Sequence, residues 1–166
     1  MTATTRTLAD IMAAEHITIT LSEPERTRDE QGWDHHAFRF TLDIAGEQLM
    51  SNAPYSAGLG IDVQGITDAD VFGAVVMDCQ SIAPYLDSRE QMDYDVDAQT
   101  RQSVAPGFPP SGWEEWADDL GMIQDGATPA SVVQSMRAFQ EMAAHAALLR
   151  EMLGADVFDE LMALEL

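Results

Sequence analysis

Polar and apolar residues alternate in two places near the N-terminus and recur at helical spacing elsewhere, and these two periods divide the chain into elements. In "TLADIMAAE" (residues 7–15), Leu8, Ile11 and Met12 share a helical face behind Thr7 as cap, which predicts a short first helix. "HITITLSEP" then alternates with β-branched residues and predicts a strand ending at Pro24, while the polar "EPERTRDEQGWD" reads as a loop. In "HHAFRFTLDIAGEQLMSNAPYSAG", His36, Phe38, Phe40 and Leu42 fall on one face and Arg39, Thr41 and Asp43 on the other, and "IAGE" supplies the turn of a hairpin. "TDADVFGAVVMDCQSIA" opens with a capping-box pattern, Thr67 to Asp70, and places apolar residues at 71, 72, 75, 76 and 79, the signature of a core helix.

The C-terminal part returns to helical spacing. "SGWEEWADDLG" carries a second capping-box pattern, Ser111 to Glu114, and stops at Gly121. "TPASVVQSMRAFQEMAAHAALLREMLG" has Thr128 as cap, Pro129 at the first helical position and apolar residues at 132, 136, 139, 143, 146 and 149, which predicts a long helix broken at Gly154. "ADVFDELMALEL" reads as a short final helix. The order is helix, three antiparallel strands, helix, then helices, and it predicts an α+β fold. Three parts follow from it: an α-β-β-β-α part over 1–83, an acidic and Pro-rich link over 84–110, and a helical part over 111–166, together forming one compact domain.

Charge changes the picture more than any motif does. The 166 residues carry a net charge of −21, from 29 Asp and Glu against 8 basic residues, and every basic residue is an arginine. The hydrophobic content of 46% is that of an ordinary folded domain, so the excess of acid reads as an acidic skin on a core rather than as disorder. Such a skin repels nucleic acid and anionic lipid and attracts basic partners. Selection for solubility or halophilic adaptation would produce the same composition. The lone Cys79 excludes an internal disulfide, the N-terminus lacks the pattern of a secretory signal, and no run has the length of a membrane span, so a soluble protein of the cytoplasm is expected.

Metal and catalytic chemistry find little support in the sequence. Asp93, Asp95 and Asp97 match the first three ligand positions of an EF-hand loop, but Ala98 stands where that loop needs glycine and Val104 where it needs the bidentate glutamate. His16, His35, His36, His145 and Cys79 lack zinc-finger spacing, and the adjacent His35 and His36 point to opposite faces of a strand. Cys79 lies on the apolar face of its helix, where a buried thiol is inert. No nucleophile elbow, phosphate loop or dinucleotide fingerprint is present. The chain is read as a non-enzyme without cofactor, and a metal-dependent enzyme remains the last of the alternatives.

The tail "GWEEWADDLGM…RAFQEMAAHAALLREMLGADVFDEL", with "NAPYSAG" and "DVFGAVVMDC", resembles a group of small uncharacterised proteins from phages and prophages of actinobacteria. The resemblance covers about half of the chain and consists mostly of helix-packing positions. It implies a phage setting and assigns no activity. This chain differs from that pattern by a longer link over about residues 84–110, which contains "DYDVDA".

Two acidic clusters then become candidate partner-binding residues. In an extended segment Asp93, Asp95 and Asp97 would project to one face about 6.6 to 6.8 Å apart, a regular negative row of the kind DNA presents. Glu114, Glu115, Asp118 and Asp119 would form a stripe on the helix that begins at Ser111, with Trp113 and Tyr94 as apolar anchors. A solvated face is the plain alternative for each cluster. In strategy, not in motif, the combination resembles the acidic DNA mimics among phage anti-restriction and anti-CRISPR inhibitors. The expected partner is a basic, nucleic-acid-binding host protein, with no direct binding to nucleic acid or membrane. Self-association through the 128–153 helix, as a homodimer or in phage assembly, is the alternative.

Overall fold

A computed structural model describes residues 5–32, 34–57, 65–88 and 129–166. Their order is α1 (Leu8–Ala14), β1 (Ile17–Leu21), β2 (Glu25–Arg28), β3 (Asp34–Ile44), β4 (Glu47–Ala57), α2 (Asp68–Ile82), a 3-10 turn (Ala83–Ser88), α3 (Pro129–Leu153) and α4 (Ala155–Met162). This is the expected α+β order of a helix, an antiparallel sheet and then helices.

The sheet is built around β3. β4 pairs along one edge of β3, while β1 pairs with residues 40–44 and β2 with residues 34–37 on the other edge, all antiparallel. β1 and β2 are therefore two halves of one edge strand, interrupted where Ser22, Glu23 and Pro24 stand opposite only Phe38 and Arg39. Proline cannot donate to a ladder, so an edge bulge is where it belongs. Ser22 repairs the break from both sides: its N–H donates to the Arg39 carbonyl at 2.8 Å, and its Oγ accepts from the Arg39 N–H at 2.8 Å.

Here the structure corrects the loop expected over residues 23–34. β2 occupies Glu25–Arg28, and only the following residues form the connection to β3. All four residues of β2 are exposed, so they carry no apolar alternation from which a strand could be inferred. Pairing comes instead from polar groups. Arg26 and Arg28 both donate to the Asp34 carboxylate, and the Thr27 hydroxyl faces the His35 carbonyl.

The β3–β4 hairpin turns through Ala45 and Gly46, both at positive φ (50° and 86°), with Ile44 opposite Glu47. Two successive positive φ values give the tight turn whose twist matches that of the strands. Two register shifts follow on β4, each inserting one residue, at Leu49 and around Asn52 (φ 54°). Two one-residue insertions restore the original phase, so Ala53 and Tyr55 still stand opposite Phe40 and Phe38. The Asn52 carbonyl accepts from Arg39 Nη1 at 2.9 Å.

One face of this sheet supplies Ile17, Ile19, Phe38, Phe40, Leu42, Ile44 and Leu49 to the core, while Thr18, Thr20 and Arg39 face solvent. The alternation is that of an antiparallel sheet with one wet side. From the helices come Ile11 and Met12 of α1, and Val71, Phe72, Val75, Val76 and Cys79 of α2, at the positions expected from the periodicity. Each large apolar side chain so buried contributes on the order of 1.5–3 kcal/mol. Both helices start with a complete capping box: Thr7 Oγ1 accepts from the Asp10 N–H while Asp10 accepts from the Thr7 N–H, and Thr67 and Asp70 repeat the arrangement.

The chain divides into two compact units, one formed by Met1–Gln80 with Leu148–Leu166 and the other by Ser81–Ala147. In the first unit, Gly154 (φ 85°) breaks the helical path between α3 and α4 after a single residue. Phe158 and Leu161 of α4 are buried, as are Leu149 and Leu153 before the break. The Gln80 side-chain amide donates to the carbonyls of Leu161 and Leu164 at 3.1 and 2.9 Å, tying the end of α2 to the end of α4. In the second unit, Ile82, Leu86, Ala143 and Ala146 are buried.

Candidate functional site

The residues singled out from the sequence, Asp93, Tyr94, Asp95, Asp97, Trp113, Glu114, Glu115, Asp118 and Asp119, all lie outside the described residues. The charge pattern that suggested them extends beyond those positions, and on the rest of the chain it has a geometry. Asp and Glu outnumber Arg in each of the four described segments, and most of these carboxylates are exposed. Among them are Glu23, Glu25, Asp29 and Glu30 along the β1–β2 edge and its loop, and Asp156, Asp159 and Glu165 near the C-terminus.

The arginines behave differently. Arg6 reaches Glu160 through two hydrogen bonds, Nε to Oε1 at 3.0 Å and Nη2 to Oε2, with Glu15 at 4.0 Å. Arg26 and Arg28 converge on Asp34. Arg39 donates to the Asn52 carbonyl, Arg137 donates to Gln140 Oε1 at 2.9 Å, and Arg150 lies over the Phe158 ring at 5.9 Å. Every arginine of the described residues is thus engaged by the chain itself. The exposed carboxylates outnumber these arginines, so negative charge predominates on the described surface.

Electrostatic shifts follow this division. The hydrogen bond from Arg6 holds the Glu160 carboxyl below its usual range, and Arg26, then Arg28, do the same for Asp34. Asp10 is lowered by the Thr7 N–H and hydroxyl that it caps. Asp78 moves the other way: its side chain keeps solvent contact, but the surrounding protein partly desolvates the carboxyl and raises it. Burial, with a smaller contribution from the neighbouring Asp78, pushes the Cys79 thiol up to about 12. A thiol so protonated is a poor nucleophile and a poor metal ligand.

His35 and His36 alternate across β3 as the strand period requires. His35 Nε2 lies 2.8 Å from Asp29 Oδ2, whereas His36 stands opposite Arg26. Among the described residues no three His, Cys, Asp or Glu side chains gather in a way that would hold a metal ion, and no helix is long and apolar enough to cross a membrane. One open hollow of about 410 Å³ is lined by Tyr55, Ile66, Asp70, Ala74 and Met77, with Met77 exposed.

No protein-family model, curated protein or solved structure matches this chain. Sequence reasoning found the acidic excess but missed the engagement of the arginines. A signal for it exists only once the register is known, because Arg26, Arg28 and Asp34 meet through the pairing of β2 with β3 and Arg6 meets Glu160 across nearly the full length of the chain.

Proposed function

We propose that this chain is a phage-encoded acidic inhibitor that binds a basic, nucleic-acid-binding protein of a host defence system and blocks DNA access by charge mimicry. A CRISPR effector in the cytoplasm of the infected cell is the first partner to test. The observation that carries the reading is the acidic excess of the surface: exposed carboxylates in every described segment, outnumbering arginines that each make a contact within the chain. A channel lined by Lys and Arg that holds DNA phosphates offers such a surface the same charge complementarity, and counterions released from it favour binding in the same way. Asp93, Asp95 and Asp97 are assigned to one contact row and Glu114, Glu115, Asp118 and Asp119 to another, with Tyr94 and Trp113 as anchors.

The test is competition for DNA. Purified chain, mixed with candidate effectors at moderate salt, is expected to co-purify with one of them, to displace its DNA and to lose hold as salt rises. Failure to bind any candidate effector, or binding without displacement, overturns the reading. Replacing Asp93, Asp95 and Asp97 by Asn, and separately Glu114, Glu115, Asp118 and Asp119 by Gln, identifies the contact row. An inhibitor indifferent to both sets has no mimicry at those positions.

Self-association in phage assembly is the second reading, favoured by Leu148, a large apolar residue of α3 that is 37% exposed. Light scattering separates the two. A stable oligomer whose acids can be neutralised without loss of activity supports assembly.

A further inference from the structure

We draw no further inference here: the strongest candidate, the open hollow between β4 and α2 lined by Tyr55, Ile66, Asp70, Ala74 and Met77, carries nothing because nothing in the structure shows what covers it.

Discussion

Arg6 and Glu160 join the start of the described chain to its last helix through a two-point guanidinium–carboxylate contact. A bidentate fork fixes direction as well as distance, so this pair orients α4 on the segment that leads into α1. Glu160 is held below its usual range by that contact, which means that the folded state binds its proton less readily than the unfolded chain does. The stabilisation is present at neutral pH, above the unfolded value, and is lost as pH falls through the folded value. Glu160→Gln is expected to melt at a lower temperature than the unaltered chain at neutral pH, with the gap closing in acid. Melting curves of the two proteins across that range check this; a gap that does not change with pH would show that the carboxylate charge is irrelevant.

The hairpin turn sets a non-glycine residue, Ala45, at φ 50° beside Gly46 at φ 86°. Left-handed backbone costs an alanine roughly 1–2 kcal/mol that glycine avoids and asparagine partly recovers. Ala45→Asn, which creates the Asn-Gly pair favoured in such turns, is expected to stabilise by about 0.5–1 kcal/mol. Gly46→Ala is expected to destabilise by about 1–2 kcal/mol. Denaturant unfolding of both variants measures the pair of effects, and equal signs would contradict the turn geometry.

Gly73 lies inside α2, where glycine costs about 0.5–1 kcal/mol relative to alanine. A Cβ built there meets Leu8 Cδ2 at 3.4 Å, the near edge of ordinary contact. Gly73→Ala is therefore expected to recover most of the helix cost and raise the unfolding midpoint. A lower midpoint would mean that α1 and α2 approach more closely than this geometry allows.

Cys79 is 1% exposed and its thiol is pushed up to about 12. Mild alkaline pH leaves it protonated as well as shielded. Iodoacetamide is expected to leave the folded protein unmodified and to alkylate one residue in denaturant, as read by intact mass. Rapid labelling of the native protein would place Cys79 outside the core.

Much of the fold was legible because local chemistry and global packing agree. The cap expected at Thr7 and the capping box expected at Thr67 both form, the "IAGE" turn closes the hairpin, and the apolar positions 71, 72, 75, 76 and 79 are buried, while the capping box expected at Ser111 lies outside the described residues. β2 was illegible because Glu25–Arg28 buries nothing: a strand held only by ladder hydrogen bonds and by Arg–Asp pairs has the composition of a loop. The bulges of β4 were hidden for a related reason, since two insertions that cancel leave the alternation intact at either end. At the candidate site only charge and spacing were legible, and charge is a property of composition that needs no particular fold to hold it. The pairing of each arginine, by contrast, depends on contacts that only the folded chain brings together.

The first unit is discontinuous in sequence, with residues 148–166 returning to the unit that begins at the N-terminus. Leu149, Leu153, Phe158 and Leu161 of that returning segment are all buried. A nascent chain can pair β1, β2, β3 and β4 early, but that unit lacks part of its interior until residues 148–166 have been made. A chain truncated before residue 148 would therefore leave the apolar face of that unit partly uncovered and prone to aggregation.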